Sequence, residues 1–408
     1  MSRKLKAVIG AQWGDEGKGV ITDYLSSSSS LVVRFNGGAQ AGHTVITPES
    51  KRHIFHHVGA GTFKGAQTFL SSYFIVNPII FAEEWRLLRD LPVSITADPF
   101  CYVTTPYDIM LNQAVEKSRG DKRHGSCGLG FNETIHRSKV FSFFLSDFTK
   151  PRDIKCILET IRDKYVPLRA TELGLELSSL PYLYDEKVIT QYIEDTLLMR
   201  DLISLHTWTK VASEWKGDIV FEGAQGLQLD KDNESQFPHV TNSKTGLFNV
   251  LELMNQASLT DSLDAYYVTR TYMTRHGAGS MPHEYDVDYA VIDDQTNVEN
   301  ENQGKMRFSW LDLDYLRQAM VKEFVLPNVM LKHIKYFKDD LSQNHSTINF
   351  NLAMTCVDQL QDGTLGYINF FKKHKATVKE MVASMRKDFG FDKILLSYGP
   401  TRKDVVEQ

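Results

Sequence analysis

The run Lys6-Ala7-Val8-Ile9-Gly10 ends in a glycine-rich stretch, Ala11-Gln12-Trp13-Gly14-Asp15-Glu16-Gly17-Lys18-Gly19, and Val20-Ile21-Thr22-Asp23-Tyr24-Leu25 then has helical character. A strand, a loop and a helix in that order point to an α/β fold. The free N–H groups of the helix N-terminus and a loop lysine together can cradle phosphate groups. The loop is not a standard P-loop. Six residues lie between Gly10 and Gly17, and Gly19 stands where a Ser or Thr would hold Mg2+. An acid, Asp15, sits inside the loop instead, placed to hold a metal or to move a proton. Glycines also serve plain tight turns by supplying positive φ, so the loop alone leaves both readings open.

Leu31-Val32-Val33-Arg34-Phe35 reads as a second short buried strand, and Ser26 to Ser30 before it as a loop. The loop after it, Asn36 to Thr44, is again glycine-rich. Two such loops after consecutive strands lie side by side at the carboxyl edge of a parallel sheet, where α/β proteins bind ligands. His43 follows Gly42 there, in a backbone that allows close approach to a ligand. Phe74-Ile75-Val76 reads as a strand, Asn77-Pro78 as a helix start running to Leu88, and Tyr107 to Lys117 as a helix ending near Gly120. Residues 196–206 suit an amphipathic helix within a helical, motif-poor stretch at about 150–216. Asp218 to Gly226 is a buried strand running into a loop whose Gln225 amide can read a purine edge. The expected fold is a single domain over 1–408. It has a large, mostly parallel central sheet, helices on both faces, a P-loop-like nucleotide edge and a helical insertion at about 150–216.

A chain of 408 residues with 42% hydrophobic and 24% charged residues has the balance of a globular protein, and its net charge of −5 gives no general nucleic-acid footprint. Local groups such as Arg34 and Arg402-Lys403 remain candidates for phosphate. Cys101, Cys127, Cys156 and Cys356 form no CxxC pair, so neither a zinc site nor a disulfide framework is expected. No apolar run reaches membrane-spanning length, and no signal segment opens the chain. A cytoplasmic enzyme with no nucleic-acid and no membrane partner is the expectation.

Gln12 to Gly19 resembles, without a break, the Q-W-G-D-E-G-K-G signature of adenylosuccinate synthetases. Further blocks follow in family order. Gly37 to Thr44 resembles G-G-x-N-A-G-H-T, with Gln40 for the usual Asn. His124 to Thr134 falls where the family carries G-T-T-G-R-G-I-G-P. Phe221 to Gly226 matches F-E-G-A-Q-G, and Phe237 to Thr241 follows at family spacing. Thr274 to Gly279 resembles T-R-V-G-A-G, with His276 in the valine's place, and Ser397 to Pro400 resembles S-T-G-P.

The resemblance implies a ligase of purine nucleotide biosynthesis, which joins L-aspartate to C6 of a 6-oxopurine nucleotide (IMP to adenylosuccinate) through a 6-phosphoryl intermediate. It implies Mg2+ held by Asp15 and the Gly42 carbonyl, Asp15 as general base, Lys18 on the phosphates and His43 as general acid. It also implies Gln225, Val240 and Thr241 on the purine nucleotide. Gly14, Glu16, Gly17, Gly19, Gln40, Ser126, Cys127, Ser397 and Gly399 would be further nucleotide or phosphate contacts, Cys127 being the weaker donor. Arg137 lies at about the spacing of an arginine that reaches a neighbouring subunit's nucleotide site, which implies a homodimer.

Departures from the family pattern gather in substrate recognition. The aspartate loop T-T-G-R-R-R-R-T-G-W-L-D corresponds to Glu301 through Asp312, in which Lys305 and Arg307 remain as cations and Asn302 is polar. A lysine does not copy a bidentate arginine. The T-K-L-D element, whose aspartate reads guanine, is matched to a strand at Val329-Met330-Leu331-Lys332-His333-Ile334. That register keeps Lys332, puts Ile334 at the aspartate and predicts ATP or dATP rather than GTP as donor, unless Asp339 or Asp340 substitutes. These changes also suit a phage-type enzyme that converts (d)GMP to 2-amino-(deoxy)adenylosuccinate. A reading of another class is a catalytically retired nucleotide-binding regulator, which retention of Asp15, Lys18 and His43 argues against.

Overall fold

The computed structural model describes residues 3–284, 304–337, 347–360 and 363–408. In the first part of the chain the strands are β1 (Leu5–Gly10), β2 (Leu31–Arg34), β3 (His43–Ile46), β4 (Arg52–Phe55), β5 (Gln67–Leu70) and β6 (Ile95–Ala97). β7 (Ile203–Leu205), β8 (Ile219–Gly226), β9 (Leu263–Arg270), β10 (Tyr272–Arg275) and β11 (Arg307–Asp312) follow. The last are β12 (Ile348–Thr355), β13 (Thr364–Asn369), β14 (Lys372–Thr377), β15 (Ile394–Ser397) and β16 (Val405–Glu407).

Ten of them form one sheet in the order β16-β15-β12-β9-β1-β8-β2-β5-β6-β7. Every neighbouring pair is parallel except the edge pair β15–β16. A parallel sheet has both faces covered, so its central strands read as continuous apolar runs. Alternate residues then divide between two cores. Ala7, Ile9, Val33, Phe221 and Leu352 enter one core, while Val8, Val32, Val220, Val268 and Ala353 enter the other. The helix Lys18–Leu25 covers the second face through Val20, Ile21 and Leu25, and Phe248–Gln256 covers the first through Val250, Leu253 and Met254. This is the mostly parallel sheet with helices on both faces that the chain's pattern predicts.

A third core lies beside β5 and β6 and is built largely from the helices Pro151–Thr160, Val166–Glu172 and Glu186–Leu202. Two smaller sheets complete the fold, one in the order β10-β11-β13-β14 and the hairpin β3-β4.

Local chemistry sets the element ends. The Asn77 side chain accepts from the Ile79 and Ile80 N–H groups and opens the helix Pro78–Leu88. Thr105 and Asp108 form a capping box at the start of Pro106–Arg119, which stops at Gly120.

Three segments differ from expectation. Phe74 to Val76 makes only single bridges, to Gly38 and Val103, because Gln67–Leu70 takes the place beside β2. Residues 203–205 leave the preceding helix and add the edge strand β7. Residues 329–334 lie inside the helix Leu313–Phe337 rather than in a strand. A short apolar run such as Val329-Met330-Leu331 suits either element by periodicity, and the long helix around it decides.

Candidate active site

The strands β2, β8, β1, β9, β12 and β15 are consecutive in the sheet, and their carboxyl ends open on a cleft of about 970 Å3. The loop after β1 forms its floor. Gly14 and Gly17 have φ of 102° and 89°, which favour glycine, and Asp15 takes a left-handed φ of 60° between them. The Glu16 carboxylate is fully buried and accepts from the Gln12 N–H at 3.0 Å and the Gly14 N–H at 2.9 Å. Lys18 Nζ donates to the same carboxylate at 2.6 Å. Burial alone would push Glu16 up, but Lys18 and the loop N–H groups hold it below the usual carboxylate range. Glu16 therefore braces the loop and aims Lys18.

The loop is fixed from outside as well. Gln12 donates to Thr269 and to the Tyr272 carbonyl, and Arg270 donates to the Asp15 carbonyl at 2.6 Å. The carboxylate of Asp15 takes no hydrogen bond from a described residue, and the residue faces the cleft. Gly19 packs backbone to backbone on β3: a Cβ there would lie 2.4 Å from the Thr44 carbonyl oxygen.

His43 opens β3 across from this floor. Its Nδ1 is 2.5 Å from Glu222 Oε1, and its buried Nε2 has no hydrogen-bond partner among the described residues. Glu222 Oε2 accepts from the Ala60 N–H and lies 3.6 Å from Arg34. Burial lowers His43 below the ordinary histidine range, and Glu222 opposes that shift only in part. Burial would raise Glu222, but His43 and Arg34 carry it below the carboxylate range. The resting pair is thus a carboxylate and a neutral imidazole, with Nδ1–H toward Glu222 and the Nε2 lone pair free. Arg34 itself is buried beneath this pair and does not line the cleft.

Gly42, Gln40, Gln225, Val240 and Thr241 line the same cleft, and Gln40 Nε2 and Gln225 Oε1 are buried atoms with no hydrogen-bond partner among the described residues. Buried polar atoms are rarely left so. Ser126 and Cys127 lie in its wall. The Ser126 hydroxyl exchanges hydrogen bonds with the Asn112 amide and so shapes its loop, while burial pushes the Cys127 thiol up. Ser397 and Gly399 line the far end, the Ser397 hydroxyl donating to the Gly399 carbonyl at 2.8 Å.

Other expected residues lie elsewhere. Arg137 is fully buried outside the cleft, with Nε donating to Asp108 at 3.0 and 3.1 Å. Its Nη1 and Nη2 donate to the Phe141 and Val103 carbonyls. Its charge is neutralised by Asp108 inside its own chain. Arg307 donates to Glu284 and to the Gly277 and Gly279 carbonyls, and neither it nor Lys305 lines the cleft. Asn302 lies outside the described residues, as do Asp339 and Asp340. The Lys332 backbone is helical and its side chain is not described. Arg402 is paired with Asp23.

Four residues acquire a place that the sequence reading did not give them: Glu222, Arg270, His276 and Asp358. Glu222 was visible inside F-E-G-A-Q-G without a partner to explain it. Asp358 follows β12 in the spacing Thr355-Cys356-Val357-Asp358, the T-x-x-D pattern, and lines the cleft together with Ser397 and Gly399. Residues 329–334 are helical and do not supply the expected strand, whereas Thr355 and Asp358 line the cleft.

A parallel sheet with glycine-rich loops at the carboxyl ends of its central strands, a lysine and an acid in the first of them, is the architecture of a nucleotide-binding α/β enzyme. Comparison narrows this. The family described as adenylosuccinate synthetase matches residues 7–355. The chain is 30% identical to the adenylosuccinate synthetase of Xanthomonas euvesicatoria pv. vesicatoria over 325 residues, covering 77% of this chain and 73% of that one. It is 37% identical to that of Acaryochloris marina over 246 residues, 58% and 53% of the two chains.

Among solved structures, the fully ligated adenylosuccinate synthetase of Plasmodium falciparum aligns with a TM-score of 0.72 at 18% identity, over 99% of this chain and 100% of that one. The succinoaminodeoxyadenylate synthetase of cyanophage S-2L, bound to dGMP and dATP, aligns at 0.59 and 12% identity, over 100% and 95%. Both likenesses are of fold. The chain belongs to the adenylosuccinate synthetase family, a family of C–N bond-forming ligases.

Proposed function

We propose that this chain condenses L-aspartate with a 6-oxopurine nucleotide, IMP in the first instance, using a nucleoside triphosphate. The observation that carries the reading is the convergence of Asp15, Lys18, His43 and Gln225 on one cleft. The 6-oxo group is a poor leaving group and is first phosphorylated. The Asp15 carboxylate, which accepts no hydrogen bond from a described residue, takes the N1 proton of the purine and makes O6 nucleophilic. Lys18, held by Glu16, meets the phosphates. His43 presents Nε2 to O6, and a dianionic phosphoryl group beside it favours the imidazolium. The amine of aspartate then displaces phosphate at C6. Gln225 and Thr241 hold the purine nucleotide.

Mg2+ suits the donors present. It is commonly bound by one or two carboxylates together with substrate phosphates rather than by a protein cage, and Asp15 and the Gly42 carbonyl face the same space. Bound there, the ion would neutralise charge on the transferring phosphoryl group. Asp358 at the Ser397–Gly399 end supports a guanine nucleotide as donor, since a carboxylate there accepts from the N1–H and 2-amino group.

The test is phosphate release from IMP, GMP and dGMP, each with GTP, ATP and dATP, with and without aspartate. Release from IMP and GTP that requires aspartate is the expected result. Equal release without aspartate sinks the ligase reading, and release confined to dGMP moves the acceptor to the phage type.

A further inference from the structure

His276 follows β10 on the turn Arg275 to Ser280, and its ring lies in the cleft wall. Both ring nitrogens are buried and neither has a hydrogen-bond partner among the described residues. Buried polar atoms are rarely left unpaired, so two on one side chain call for an explanation. Valine, the residue of the T-R-V-G-A-G pattern, would fill the position without leaving any.

The turn is clamped on both sides. Arg275 donates to the Ser280 and His239 carbonyls and lies over the Trp13 ring, which belongs to the phosphate loop. Arg307 donates from Nη2 to the Gly277 and Gly279 carbonyls at 2.9 and 2.8 Å. Gly277 and Gly279 have φ of 76° and 107°, and the backbone at Gly277 touches that of Gly125. The imidazole is therefore presented by a rigid loop and is not a surface group that happened to fold inward.

We propose that His276 binds a carboxylate of the amino-acid co-substrate, while Arg307 positions the turn that carries it. The inference rests on the ligase reading above. Arg307 stands in the register of the amino-acid loop, yet its guanidinium is spent on Glu284 and the turn, and Lys305 is outside the cleft. Arg119, Arg169 and Arg270 in the cleft wall are engaged with Glu116, Glu133 and the Asp15 carbonyl. His276 offers ring nitrogens with no hydrogen-bond partner among the described residues, in the same cleft as Asp15 and on a turn that Arg307 holds.

The experiment compares full-length wild type with His276→Val and His276→Gln in aspartate-dependent phosphate release, at saturating nucleotides and across aspartate concentrations. His276→Val is expected to raise the aspartate KM by about 10–100-fold, the worth of a charge-assisted hydrogen bond, with little change in kcat or in either nucleotide KM. His276→Gln keeps an N–H donor and should recover part of the loss. An unchanged aspartate KM in His276→Val overturns the proposal, and so does a rise confined to a nucleotide KM. Should His276→Val fail to bind nucleotide at all, His276→Gln decides alone: an aspartate KM equal to wild type with a raised nucleotide KM overturns the proposal, and a raised aspartate KM supports it. Wild type with no aspartate-dependent release is a different failure, that of the ligase reading itself.

Discussion

His43 Nδ1 and Glu222 Oε1 are 2.5 Å apart, and the contact joins β3 to β8 across 179 residues of sequence. The carboxylate fixes which ring nitrogen carries the proton and leaves Nε2 for the substrate. Glu222→Gln keeps the shape and removes the charge that favours imidazolium. Its kcat should fall by about 10–100-fold, less than the roughly 100–10,000-fold that general acid catalysis as a whole supplies, with both nucleotide KM values little changed. The His43 ring, already below the ordinary histidine range, should titrate lower still in an NMR experiment. An unaltered kcat would remove Glu222 from the mechanism.

Asp358 supplies the second prediction. With the carboxylate present, GTP should be preferred over ATP. Asp358→Asn should lower kcat/KM for GTP by about 100-fold while leaving ATP turnover nearly unchanged, because only guanine pairs with the lost charge. Equal losses with both donors would show that Asp358 does not read the base.

Arg137 gives a prediction about stability. Arg137→Leu leaves the buried Asp108 carboxylate without its ion-pair partner, and breaking such a pair costs about 3–5 kcal/mol. Urea unfolding should show that loss, and the nucleotide KM of the folded fraction should stay close to wild type. A stable variant with a large rise in nucleotide KM would instead place Arg137 at a binding site.

Glu323 gives a pH dependence. It is buried and accepts from the Leu247 N–H and the Tyr267 hydroxyl, and burial pushes its carboxyl up to about 7 from 4.5. The folded state therefore holds a proton that the unfolded chain releases between those values. Stability falls as pH rises through that window and is level above it. Glu323→Gln cannot ionise, so it should gain on wild type by roughly 3 kcal/mol at pH 8 and differ little at pH 4. Denaturant midpoints at the two pH values measure the difference, and a constant gap would refute it.

Sequence legibility followed the range of the forces involved. The strand–loop–helix at 5–25 was readable because its apolar run, glycines and lysine are adjacent in the chain. The helix caps at Asn77 and Thr105 are local for the same reason. Glu222 sat in a recognised motif, yet its meaning depends on His43 and Arg34, which only the sheet brings to it. The burial of Arg137 is not legible in the sequence, because its partner, Asp108, lies on another helix and spacing carries no sign of burial. The strand expected at 329–334 is helical, since the apolar run Val329-Met330-Leu331 suits either element, and T-x-x-D at 355–358 lacks the Lys and Leu of the family pattern. His276 showed as a departure from a pattern, but that its nitrogens are unpaired is a property of packing alone.

The missing side chain at Gly19 has a mechanical consequence. With no Cβ there, the first turn of the helix rests directly on the Thr44 carbonyl. The segment bearing Asp15 and Lys18 and the strand that His43 opens thus share a backbone contact with no side chain between them. On the proposed reading this contact sets the spacing of base and acid, and a side chain at position 19 would have to push the two apart.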